Sequence, residues 1–280
     1  MIFTRANVLA LSAMALWVSL AALGVSLQHV PPFLLTGIAL LIGSLVSLPL
    51  SRCDWRVLRV PLRTLALGVY GLFGYHFLLF MALRDAPPVQ ANLVNYLWPL
   101  GMVVMAPWFL PGTKATTQHL MAGLMGFAGA ALAITGGQSL EVIPSWGYLW
   151  AVGAAFVWAS YSLMTQRVAR FPTAALGLFG LASGLLALLC HVLLEPATVL
   201  SASDWLYLIA MGIGPLGAAF YLWDAALKLG DARQIGLLSF LTPLGSTLLL
   251  LWVRGEGPSL SVALSAALIV GAAWVGNRKT

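Results

Sequence analysis

The chain has 280 residues, 61% of them hydrophobic and only 8% charged, with a mean hydropathy of +0.95. A soluble domain carries roughly a quarter charged residues, so a conventional water-exposed surface is excluded and lipid is the solvent that fits. The net charge of +6 does not mark a nucleic-acid binder, because the basic residues sit in short gaps between apolar runs, where they set membrane topology.

A spanning helix takes about 20 apolar residues. Apolar runs lie at approximately 6–27, 32–50, 62–83, 88–110, 118–137, 146–167, 173–194, 204–227, 231–253 and 258–276. The pattern predicts an all-α membrane protein of ten transmembrane helices with only short connections. The first run has no small-residue cleavage site and is too long for a signal core, so it reads as a retained helix. Pro31, Pro32, Pro87, Pro88, Pro172 and Pro258 stand at or just before first turns, where a missing N–H costs nothing.

Ten crossings put both termini on one side, and charge selects the cytoplasm. Arg5, Arg52, Arg56, Arg59, Arg63, Lys114, Arg167, Arg170, Lys228, Arg233, Arg278 and Lys279 fall inside, against Arg84 and Arg254 outside. Asp85, Glu141, Glu195, Asp204 and Glu256 fall outside. This is the positive-inside asymmetry. Cys53 and Cys190 then lie on opposite sides, which argues against a mutual disulfide.

Residues 77–101 echo 221–245 at an offset of 144. Ala82, Leu83, Gln90, Leu93, Leu97, Pro99, Leu100 and Gly101 recur as Ala226, Leu227, Gln234, Leu237, Leu241, Pro243, Leu244 and Gly245. A weaker echo at 141 pairs Trp17 with Trp158, Pro31 with Pro172 and Gly43 with Gly184. The chain therefore divides into five-helix halves, 1–140 and 141–280. Five is odd, so the halves enter the membrane from opposite sides. Inverted repeats of this kind are a recurring transporter design.

Polar and aromatic residues inside spans point to a cavity or the bundle interior. Span one carries Trp17. Span three carries Tyr75, His76 and Phe80. Span four carries Asn92, Asn95, Tyr96, Trp98 and Pro99, with 92, 95, 96 and 99 on one helical face. Pro99 removes the backbone bond to the Asn95 carbonyl, and Pro243 does the same for Ser239, so both prolines are candidate hinges. Span six adds Trp158, Tyr161 and Ser162. Span nine adds Ser239, Thr242 and Ser246.

Asp224 is an acid well within an apolar run. Lys228, four residues on, leaves two readings open: an interfacial ion pair or proton coupling. Spans five and ten carry small-residue stripes, Ala122, Gly126 and Ala130, and Ala263, Ala267 and Gly271. Such stripes favour close packing, within the chain or in a homodimer. No Cys-x-x-Cys or His-Glu-x-x-His appears, so neither a metal nor a cofactor is expected. The set suits a small-molecule substrate with an aromatic or apolar body and a polar or zwitterionic head. An intramembrane enzyme lacks its motif, and a channel lacks its rings of charge.

The ten runs, the two halves and the segment Asn95-Tyr96-Leu97-Trp98-Pro99 resemble the EamA-type transporters of the drug/metabolite transporter superfamily. The closer likeness is to bacterial aromatic amino acid exporters of the YddG type. The resemblance implies export of amino acids across the bacterial inner membrane by alternating access through an aromatic-lined centre. It also implies substrate contacts at Tyr75, His76, Asn95, Tyr96 and Trp98. A carrier for drugs or other metabolites is the alternative within the superfamily.

Overall fold

The computed structural model describes residues 4–54, 56, 59–114, 116–140 and 143–276, and the described residues are helical with no strand. Glu141, Arg278 and Lys279, used above to read topology, lie outside the described residues. The helical stretches are α1 (Arg5–Ser26), α2 (Pro32–Leu50), α3 (Leu62–Asp85), α4 in two pieces (Pro88–Asn95 and Trp98–Phe109), α5 (Thr117–Thr135), α6 (Gly147–Met164), α7 (Thr173–Leu194), α8 (Ala202–Leu229), α9 (Ala232–Arg254) and α10 (Leu260–Gly276).

Seven of these are long and apolar enough to cross a membrane: α1, α2, α3, α5, α7, α8 and α9. The sequence reading of ten meets this criterion only in part, for a physical reason. α10 is equally apolar but has 17 residues. α4 and α6 carry Asn92, Asn95, Tyr96, Tyr148, Ser160, Tyr161 and Ser162, which lower their hydropathy. Both stretches that fall short on polarity carry candidate site residues, Asn95, Tyr96 and Trp98 in α4 and Trp158 and Tyr161 in α6.

Local chemistry fixes the helix starts. Thr4 Oγ1 accepts from the Asn7 N–H at 3.2 Å, and Thr116 Oγ1 accepts from the His119 N–H at 3.3 Å. Ser201 and Asp204 form a reciprocal capping box on α8, satisfying first-turn donors that the helix itself cannot. Pro32 and Pro88 occupy the first turns of α2 and α4. At the N-terminus of α2 the Glu195 carboxylate accepts from Phe33 N at 2.8 Å and Leu34 N at 3.1 Å, and pairs with His191 Nδ1 at 2.9 Å. An acid on a helix N-terminus complements both its free donors and its dipole.

α2 packs along α7, α5 along α10, α1 along the second half of α8, and α6 along α3 and α4. Large apolar side chains such as Leu124, Phe156, Leu185, Leu206 and Trp252 point outward, as a lipid-facing surface requires. In α5 the stripe Ala122, Gly126 and Ala130 is buried, with Gly126 against the Phe240 ring. In α10 the expected stripe does not pack inward: Ala263 and Ala267 are exposed, while Val262, Ser265, Ile269, Ala272 and Gly276 are buried. Ser265 Oγ donates to the Gly129 carbonyl at 2.7 Å, which sets that phase.

α3 and α8 each widen into one π-turn, Tyr70–Gly74 and Gly214–Ala218, with the second beginning 144 residues after the first. The α-helical segments that follow, Tyr75–Asp85 and Ala219–Leu229, keep the same offset. α4 breaks at Tyr96 and Leu97 and α9 breaks at Ser239 and Phe240; Pro99 and Pro243 lie within the first turn after each break. At the first π-turn a Cβ on Gly71 would lie 2.3 Å from the Tyr161 ring. Gly71→Ala is therefore expected to destabilise the protein by about 1–3 kcal/mol, as overpacking does. Gly24→Ala, where nothing lies within 4 Å, should cost far less. Thermal midpoints of the detergent-purified variants check this, and equal midpoints would refute the α3–α6 contact.

Candidate functional site

The aromatic residues of α1, α3, α4, α6 and α8 meet in one cluster centred on Trp158. Its ring lies 6.0 Å from Trp17, 5.2 Å from Tyr75, 6.3 Å from Trp98, 5.5 Å from Tyr161, 5.6 Å from Phe220 and 6.4 Å from Trp223. The Trp158–Trp223 pair is stacked, at 25° between planes, and the Trp17–Trp158 and Trp98–Trp158 pairs are edge-on, at 75° and 88°. Both arrangements are favoured by the ring quadrupole. Four tryptophans sharing one centre are all buried.

Buried indole N–H groups need acceptors, and these come from across the bundle. Trp17 Nε1 donates to the Pro215 carbonyl in the α8 π-turn at 3.1 Å. Trp223 Nε1 donates to Ser162 Oγ at 3.2 Å. A π-turn leaves a carbonyl free to accept from outside the helix, so the irregular backbone of α8 positions the ring of α1.

Polar groups line one side of the cluster. Tyr75 and His76 pack at 5.1 Å, and His76 reaches Phe80 at 6.0 Å and Phe220 at 6.2 Å. His76 Nδ1 lies 2.6 Å from the Leu72 carbonyl. A carbonyl can only accept, so Nδ1 carries the proton, and when the ring is neutral Nε2 is its acceptor. Asn95 Nδ2 donates to Tyr75 Oη at 3.2 Å, while the buried Asn95 Oδ1 has no hydrogen-bond partner. An amide oxygen without a donor in such surroundings is costly and is a natural acceptor for an ammonium or N–H group.

The sequence-derived set thus divides. Trp17, Tyr75, His76, Trp98, Trp158 and Tyr161 share the cluster, Asn95 joins it through Tyr75, and Phe80 joins it through His76. Tyr96 lies half-buried at the α4 break. Ser239 is fully buried, with its hydroxyl donating to the Gly236 carbonyl at 2.5 Å, one turn back on its own helix.

Asp224 directly follows the cluster residue Trp223 and lies where α8 meets the start of α7. Its Oδ2 is 2.5 Å from Lys228 Nζ and 2.6 Å from Thr173 Oγ1, and Oδ1 is buried without a partner. Lys228 also donates to the Phe171 carbonyl at 2.9 Å and sits 3.9 Å over the Phe171 ring. Phe220 and Trp223 are cluster residues that sequence reasoning did not select, while Ser162, singled out in span six, accepts from Trp223. Phe220 could have been found, since it follows His76 by 144 residues.

The EamA-like transporter family profile matches the chain twice, over residues 4–135 and 145–277. An aromatic amino acid exporter YddG of Ancylobacter novellus is 43% identical, with 98% of this chain and 97% of that one aligned. YddG of Salmonella typhimurium is 27% identical over 98% of each chain. YhbE of Escherichia coli, an inner membrane transporter, is 28% identical over 76% of this chain and 67% of its own. A crystal structure of a chain 41% identical matches with a TM-score of 0.93, covering 98% of this chain and 96% of that one.

Proposed function

The chain belongs to the EamA-like transporter family, and on that premise we propose that it exports aromatic amino acids by alternating access through the Trp158 cluster. It is a multi-pass exporter of the bacterial inner membrane and not an enzyme. The observation that carries the substrate reading is a ring cluster bordered by an unpartnered buried amide oxygen. Rings that already stack on one another can stack on a substrate ring instead, and Asn95 Oδ1, His76 Nε2 and Tyr75 Oη are placed to take its ammonium. The name of the Ancylobacter relative supports the same class.

The architecture that goes with this reading has ten crossings in two five-helix halves, 1–140 and 141–280, of opposite orientation, with both termini cytoplasmic. The doubled family match, the π-turns 144 residues apart and the paired breaks in α4 and α9 support it. Trp17 and Trp158 then correspond in the two halves, as do His76 and Phe220, so the cluster stands where the halves meet. The breaks before Pro99 and Pro243 are the hinges. Asp224 is assigned to coupling: protonation would remove the charge that holds Lys228.

Counterflow of labelled phenylalanine, tryptophan and threonine into proteoliposomes tests the proposal. Phenylalanine and tryptophan should enter several-fold faster than threonine. Absence of protein-dependent flux for every amino acid would refute it.

A further inference from the structure

A cavity of ≈ 380 Å³ opens at the end of the bundle where α3 begins and where α4 and α6 finish. Arg63 and Leu67 of α3, Phe109 of α4, Met164 at the end of α6, and Arg167 and Val168 just beyond it form its lining. Small-molecule sites occupy about 300–1,000 Å³. The two arginines stand 104 positions apart in sequence and are brought to one cavity only by the fold.

The charges at this end are not equivalent. Lys228 is neutralised by Asp224 and Arg233 by Asp231. Among the described residues, neither Arg63 nor Arg167 forms an ion pair with a carboxylate. A guanidinium fork recognises a carboxylate through two parallel N–H donors, and the rest of the lining is apolar. The cavity thus offers paired cations beside a hydrophobic wall that includes one aromatic ring.

The helices that line it also carry the cluster. Leu67 lies eight residues before Tyr75, about 12 Å along α3, and Met164 lies six residues after Trp158, about 9 Å along α6. Between them Tyr70 Oη and Ser160 Oγ share a hydrogen bond at 2.8 Å, and the Tyr161 ring covers Gly71. A side-chain barrier one or two turns thick separates the two.

We propose that this cavity is the receiving site on the cytoplasmic face. Arg63 and Arg167 bind the carboxylate of a free amino acid, its side chain rests on Leu67, Phe109, Met164 and Val168, and Tyr161 is the barrier it passes to reach the Trp158 cluster. The inference rests on the export reading above and adds the group that selects for a free carboxylate.

The test is competition in proteoliposomes of the full chain, using phenylalanine and phenylalaninamide, which keeps the ring and the ammonium but lacks the carboxylate. In wild type, phenylalanine should compete with labelled phenylalanine about tenfold better than the amide. In the Arg63→Gln, Arg167→Gln double variant the half-saturating phenylalanine concentration should rise about tenfold, the effect of losing one such contact, while the amide is unaffected. Equal weakening of both compounds would overturn the proposal, as would an unchanged affinity for phenylalanine. If wild type in vesicles without anionic phospholipid shows the double variant's behaviour, the arginines hold a lipid headgroup and the proposal fails. Wild type that carries no phenylalanine at all would instead overturn the substrate reading, and this inference with it.

Discussion

Trp158→Ala should reduce phenylalanine counterflow by at least tenfold, and Trp158→Phe should reduce it by less. The Trp158 ring touches six others at 5.2–6.4 Å, and each aromatic pair contributes about 0.5–1.5 kcal/mol beyond its buried area. Deleting the ring leaves a cavity among Trp17, Trp98, Phe220 and Trp223, and large-to-small truncation of a buried tryptophan costs about 3–5 kcal/mol of stability. Phenylalanine keeps an apolar ring at the centre and should fold, so it separates a transport defect from unfolding. With the proposal correct, its half-saturating substrate concentration rises several-fold while the yield of monodisperse protein holds. Trp252→Ala supplies the contrast, because that ring is 78% exposed and stands outside the cluster. Wild-type flux in Trp158→Ala would remove the cluster from the pathway.

Part of this site is legible in the chain because costly residues stand out against an apolar background. Asn95 and His76 are expensive in lipid and need a reason to be there. The Asn95 to Pro99 segment states both its polarity and its break, and α4 does break at Tyr96 and Leu97. Trp17 and Trp158 are linked by the repeat offset before any contact is seen, and they lie 6.0 Å apart.

Other features leave no such mark. Phe220 and Trp223 are apolar residues in an apolar helix, and they are marked only indirectly, by the repeat offset from His76 and by Asp224 on the same helix. α10 is hydrophobic on every side, so its phase cannot be read from periodicity; this is why the expected stripe at Ala263 and Ala267 turned out exposed while Ser265 faces α5. The π-turns depend on packing. Gly71 admits the Tyr161 ring, and the second turn frees the Pro215 carbonyl for Trp17. Arg63 and Arg167 each look like topology-setting charges until the fold brings them to one cavity.

Asp224→Asn should leave counterflow near the wild-type rate and abolish its response to an imposed pH gradient. The carboxylate is 3% exposed and holds three elements together: Lys228 on its own helix, Thr173 at the start of α7 and, through Lys228, the Phe171 carbonyl before it. Its second oxygen has no partner. Protonation would neutralise the acid, release Lys228 toward water and loosen α8 from α7, which is what a carrier needs if proton binding is to favour one facing state. Asparagine matches the shape and the absence of charge of the protonated form, so the variant should behave as if permanently protonated. Both variants leave Lys228 without its anion, and Asp224→Ala differs in also removing the side-chain oxygen that accepts from Thr173 and Lys228. Breaking a buried pair costs about 3–5 kcal/mol, and here the loss should be toward about 1–3 kcal/mol because Lys228 remains 28% exposed to water. Thermal midpoints of the two variants, measured beside flux with and without the gradient, distinguish a coupling acid from a plain inner tether. A tether predicts that Asp224→Asn still follows the gradient as wild type does, and that result would end the coupling assignment while leaving the aromatic pathway intact.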